Sequence, residues 1–205
     1  MESFEGKNRE EKLAAYIKEH EIRWIVVPGG FGSRGTEWKI NIANYCRVNN
    51  IPYLWLCLGL QIAVISFARN VCGITKANST EFDEQCIDPI IDIMEDQKNI
   101  ANKWWTMRLG LYEAILKKWS IVQKLYGQDT IQERHRHRYE VNPAYHEVLE
   151  KNGMVISGMS PDGKLVEYIE LPNNTFYAAT QSHPEFNSRL DKPHPLFVWL
   201  IKACL

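Results

Sequence analysis

The sequence has no apolar run of membrane-spanning length. Its first residues, MESFEGKNREEK, are charged and lack the apolar core of a secretory signal. A membrane partner and export are therefore not expected, and the sequons at Asn78 and Asn173 carry no weight. Excess charge is also lacking. The formal net charge is -1, which gives no general surface for polyanions and no expectation of nucleic acid. The cysteines at 46, 57, 72, 86 and 204 are odd in number and show no C-x-x-C spacing. That pattern fits free thiols in a reducing, cytoplasmic compartment, and no metal site is expected. Internal repeats and low-complexity linkers are absent. What remains is a chain of 205 residues, 45% hydrophobic and 24% charged, enough for one domain over 1–205 with a proper core.

The order of elements reads as α/β. Residues 8–19 pattern as an amphipathic helix, and IRWIVV (22–27) as a short strand entering the turn PGGFGSRG. A helix is expected over 36–47, a strand at PYLWLC and a helix at LGLQIAVISFARN. Short apolar segments follow at MRLGLYEAIL, MVISGM, LVEYIEL and FYAAT, with helices near 145–151 and at PLFVWLIKAC. Strand, glycine turn, helix, strand, sharp bend, helix is the grammar of a mainly parallel sheet flanked by helices.

The sharp bend is YLWLCLGLQ. An apolar strand ends in Cys57 and a helix begins at once, which is how a nucleophile elbow reads. The helix N-terminus favours a thiolate, and its N–H groups can stabilise an oxyanion. Set against this is the ordinary role of an isolated cysteine, a small buried core residue. Such elbows want small flanking residues; position 59 is Gly, but position 55 is Trp. A cysteine nucleophile needs a base and an orienting group. In QSHPEF, Pro184 biases His183 toward extended geometry, which would project His183 and Glu185 to one side. Taken alone, H-P-E is more often a loop.

Other segments carry chemistry less specifically. PGGFGSRG offers main-chain donors near strand ends but lacks the G-K-[ST] of a phosphate loop. In RHRHR (134–138) the arginines share one face of a strand and the histidines the other. A patch of that length in a neutral protein is poor evidence for nucleic acid. Glu81 in ANSTEF could hold a substrate ammonium or be a solvated loop acid.

Together these segments are far more specific. VPGGFGSRGTE, CLGLQIAVISFARNV, ANSTEFD, TMRLG, ERHRHRYEVNP, SGMSPDGKLVE, ATQSHPEFNSR and PHPLF occur in family order over residues 24–203. The sequence resembles the glutamine amidotransferase domain of CTP synthase, a class I (triad) amidotransferase with a flavodoxin-like fold. The resemblance implies a catalytic triad of Cys57, His183 and Glu185. It implies glutamine contacts from Gly30, Leu58, Gly59, Leu60, Gln61, Glu81 and Arg138. It implies a γ-glutamyl thioester on Cys57, with ammonia passed to a synthase domain of the same polypeptide that uses ATP and Mg to aminate UTP. No cofactor is implied for this domain, and the full-length protein is expected to be a homo-oligomer, a tetramer. The chain is expected to be an N-terminally truncated fragment without the synthase domain and without the first strand and helix of the amidotransferase fold. Two alternatives stand beside this reading: a degenerate, non-catalytic regulatory module with its elbow blocked by Trp55, and a stand-alone glutaminase or γ-glutamyl hydrolase.

The sequence departs from the family pattern at its seven tryptophans, Trp24, Trp38, Trp55, Trp104, Trp105, Trp119 and Trp199. The resemblance implies glycine at these positions. A UGA codon is read as tryptophan under one variant code and as glycine under another. A UGA-glycine gene translated with the wrong table would give this pattern. The expectation is that some of these indoles are exposed or sit in glycine-like backbone geometry, and that the Trp104–Trp105 pair strains its turn.

Overall fold

In a computed structural model the described residues are 9–93 and 107–205. Six helices and ten strands are described: α1 (Arg9–Glu19), β1 (Ile25–Val27), α2 (Thr36–Val48), β2 (Tyr53–Leu56), α3 (Leu58–Asn70), β3 (Ala77–Ser79), β4 (Asp88–Ile93), β5 (Arg108–Leu116), α4 (Ile121–Tyr126), β6 (Thr130–His137), β7 (Tyr139–Val141), α5 (His146–Lys151), β8 (Val155–Met159), β9 (Val166–Glu170), β10 (Tyr177–Thr180) and α6 (Pro195–Lys202). Among the described residues no helix is long and apolar enough to cross a membrane.

Seven strands form one sheet in the order β1-β2-β10-β9-β8-β5-β6, and β3-β4-β7 form a second, small sheet. The α/β class read from the sequence holds. The main sheet is mixed: β1, β2 and β10 run parallel, and every pairing from β10 outward to β6 is antiparallel. The parallel part carries the site. All four residues of β2 are buried, as expected of a parallel strand covered on both faces. Tyr53 and Trp55 face a core built with α2 and α3; Leu54 and Leu56 face another built with α4 and α6.

α3 crosses β2 at the closest approach a backbone permits. A Cβ added at Gly59 would lie 2.8 Å from the Val27 carbonyl oxygen and 3.0 Å from the Trp55 Cβ. Only glycine lets the helix start there, directly after the bend. Trp55 itself is wholly buried in this core rather than beside the bend's open side. Trp119 has φ 69 and is 83% exposed, a glycine-like backbone on the surface. Trp24 and Trp199 are 43% and 42% exposed. Trp104 and Trp105 lie outside the described residues.

Candidate active site

Three adjacent parallel strands end together: β1 runs into Pro28-Gly29-Gly30, β2 into Cys57, and β10 into Gln181-Ser182-His183. Ligands in α/β folds bind at such carboxyl ends. Cys57 sits at φ 55, ψ -109, a positive φ for a residue with a side chain. That conformation costs on the order of 1–3 kcal/mol and persists only when its surroundings enforce it. Here the Cys57 N–H donates to the Thr180 carbonyl at 2.8 Å, and α3 begins at the next residue. The first N–H groups of that helix have no partner within it.

His183 lies across Gly29 from the nucleophile. A Cβ at Gly29 would stand 2.8 Å from His183 Cε1 and 3.3 Å from Cys57 Cβ, so glycine alone fits between base and thiol. His183 Nδ1 donates to Glu185 Oε1 at 2.6 Å, and its ring stacks on Phe186. The pairing is made through a 3₁₀ turn at Pro184–Phe186 rather than through an extended segment, because His183 is the last residue before the chain coils. His183 Nε2 is buried and accepts no hydrogen bond, while Cys57 Sγ rests 3.7 Å from the Arg136 carbonyl. Burial opposes the imidazolium, but the Cys57 thiol and the Glu185 carboxylate outweigh it, and the His183 pKa is raised to about 10. Burial likewise opposes ionisation of Glu185, and its hydrogen bond from His183 holds the carboxyl below the usual range.

A cavity opens beside the thiol, lined among others by Gly30, Leu58, Gln61, Glu81 and Arg138. Glu81 Oε1 accepts the Gly32 N–H at 2.8 Å, which fixes the loop before α2 against the loop after β3. Burial raises the Glu81 pKa, against the pull of Gly32 and Arg138. Gln61 Nε2 donates to the Tyr139 carbonyl at 2.8 Å. The cavity thus sets one carboxylate and one guanidinium beside a nucleophile, complementary to a free amino acid's ammonium and carboxylate.

Most residues expected at a site do meet here. Gly59 and Leu60 do not line the cavity: Gly59 packs on Val27 and Trp55, and Leu60 is wholly buried in the core. Trp55 is not part of the lining either. Sequence reasoning missed Gly29, Phe31, Met107, His137 and Tyr139, of which all but Gly29 line the cavity. The doubled glycine of PGGFG was the one local signal that could have found Gly29.

The family model for class I glutamine amidotransferases matches residues 5–203. The chain belongs to that family. It is 55% identical over 204 residues to a CTP synthase of Methanococcus maripaludis, covering 100% of this chain and 38% of the relative. It is 50% identical over 196 residues to a CTP synthase of Staphylococcus aureus, covering 96% of this chain and 36% of that one. Among solved structures, the glutaminase domain of Trypanosoma brucei CTPS with bound acivicin superposes with TM-score 0.90 at 40% identity, over 99% of this chain and 77% of that chain. A GMP synthase-type protein of Thermoplasma acidophilum, 15% identical with TM-score 0.58, shares the fold. This amidotransferase therefore spans a little over a third of the length of the curated relatives it matches.

Proposed function

We propose that this amidotransferase hydrolyses L-glutamine and supplies the ammonia to a synthase domain that aminates UTP with ATP and Mg, as the glutaminase half of a CTP synthase. The observation that carries the reading is the strained Cys57 held across Gly29 from a carboxylate-oriented His183, next to the Glu81–Arg138 pair. Glu81 and Arg138 receive the substrate's ammonium and carboxylate, which leaves the γ-carboxamide at Cys57. The thiolate attacks the amide carbon. Main-chain N–H groups at Leu58 and Gly30 receive the oxyanion. His183, held cationic, gives its proton to the departing nitrogen, and ammonia leaves with a γ-glutamyl thioester on Cys57. His183 then takes a proton from water as it attacks the thioester, releasing glutamate and restoring the thiol. The chain's own side chains supply nucleophile, acid and base, so this half-reaction calls on no cofactor. The five free thiols fit a reducing, cytoplasmic setting.

A non-catalytic module would need Trp55 to crowd the nucleophile. Its side chain instead enters the core on the α3 side of the sheet and leaves the cavity open.

The test is glutamine-dependent ammonia release together with mass spectrometry of the stalled thioester. Cys57→Ala should abolish both. Arg138→Ala should raise the glutamine KM by about tenfold or more, since a charge-assisted partner of the substrate is lost. In the full-length protein, Cys57→Ala should spare CTP formation from added ammonia; loss of that activity too would rule out a role confined to glutamine.

A further inference from the structure

The triad and the substrate pair leave one set of buried ionisable groups without a task. Arg108 of β5 bridges Glu140 of β7 at 3.1 Å and Glu167 of β9 at 2.8 Å. His137 of β6 lies 2.7 Å from Glu140, and His135 lies 3.5 Å from Glu167. None of the five is more than 8% exposed. Ion pairs buried this deeply are weak sources of stability, because desolvation offsets the attraction. Their cost asks for another return.

That return lies on the strand they grip. β6 is the edge strand of the main sheet; β5 takes one side, and the other faces the catalytic loops. The His183 N–H donates to the Arg134 carbonyl at 2.7 Å, and Cys57 Sγ rests on the Arg136 carbonyl at 3.7 Å. Gln61 hangs from the Tyr139 carbonyl on the same stretch. The positions between, 135 and 137, send their imidazoles into the cluster. A second tie runs from Glu167, whose carbonyl accepts the Gln181 N–H at 2.9 Å, two residues before His183. Nucleophile, base and a cavity residue thus hang on one strand segment, and the cluster is what locks that segment to β5, β7 and β9. Burial keeps the His135 pKa down at about 2, so its ring acts as a neutral hydrogen-bonding strut.

We propose that Arg108, His135, Glu140 and Glu167, with His137, are positioning residues: they fix residues 134–139 so that the Arg134 and Arg136 carbonyls hold His183 and Cys57 at the spacing proton transfer requires. The proposal rests on the glutaminase reading for its rate effect, but not for its effect on the thiol.

Two readouts separate them. One is glutamine hydrolysis; the other is alkylation of Cys57 by iodoacetamide across pH, followed at that cysteine by peptide mass spectrometry. Glu167→Gln keeps the size of the side chain and removes its charge. In the folded variant, kcat should fall about tenfold or more while KM stays within about threefold, because a small misplacement of reacting groups is costly to the chemical step. The alkylation profile should move toward alkaline pH. His135→Asn, which removes only the longer contact, should shift the profile in the same direction and decides the matter if Glu167→Gln does not fold. Alkylation profiles superimposable on the parent in the folded variants would overturn the proposal, whatever happens to kcat. A shifted profile in a chain whose parent releases no ammonia from glutamine would keep the positioning role and sink the glutaminase reading.

Discussion

At the scale of single residues, the site is a set of mutual constraints rather than a set of reactive side chains. Cys57 holds a positive φ because the Thr180 carbonyl and the start of α3 leave it no other path. Gly29 is there because any Cβ would meet the His183 ring. The pKa of His183, raised to about 10, makes a testable link to stability. Its folded value lies above the unfolded value of about 6.5. The stabilisation that this proton confers is therefore whole below about pH 6.5 and is lost as pH rises through about 10. His183→Gln should remove that dependence. Chemical denaturation of parent and variant between pH 7 and 10.5 should show the parent's advantage shrinking with pH. A difference that stays constant across the range would mean that His183 is not held cationic in the folded chain.

At the scale of elements, the decisive contact is α3 over β2. Gly59→Ala offers about 1 kcal/mol in helix propensity. Against it stands a Cβ 2.8 Å from the Val27 carbonyl, which is backbone and cannot swing aside. Overpacking of this kind costs about 1–3 kcal/mol, so the net change should be destabilising. The helix must also shift, carrying the Leu58 N–H away from the oxyanion, so kcat should fall with the melting temperature. An unchanged kcat would place the oxyanion donors elsewhere. Much of this was legible beforehand. The strand-Cys-Gly-helix bend, the His-x-Glu pair and the long helices follow from local pattern alone. The β3-β4-β7 sheet was not, because two of its strands have three residues, β4 contains Pro89, and pairing across distant segments decides it. The alternation in RHRHR was readable as two faces. That the histidine face is the buried one depends on Arg108, Glu140 and Glu167, which arrive from three other strands.

At the scale of the whole molecule, the tryptophans test whether the chain as written is the chain the fold was built for. Trp119 carries a backbone that glycine adopts freely, at a cost of about 1–2 kcal/mol for a residue with a Cβ. Trp55 is crowded rather than loosely held. Its ring centroid lies 3.9 Å from that of Tyr53, inside the roughly 4.5–7 Å usual for aromatic pairs. Its indole N–H is buried without a partner, which costs about 1–3 kcal/mol. Against these penalties stands the apolar surface that the indole buries, since deleting a well-packed tryptophan side chain typically costs about 3–5 kcal/mol. The two readings therefore differ in sign. If the seven positions are glycine in the natural protein, α3 closes on β2 at residue 55 and no cavity forms. The all-glycine chain should then melt higher and hydrolyse glutamine faster than the all-tryptophan chain. Domains hold only about 5–15 kcal/mol in total, so the difference should be plain in a denaturation curve. Trp119→Gly alone should stabilise under either reading, by about 1 kcal/mol. Trp55→Gly discriminates: a loss of several kcal/mol in an otherwise all-glycine background would show that the indole belongs to the core, and a gain would show that the fold was shaped around its absence.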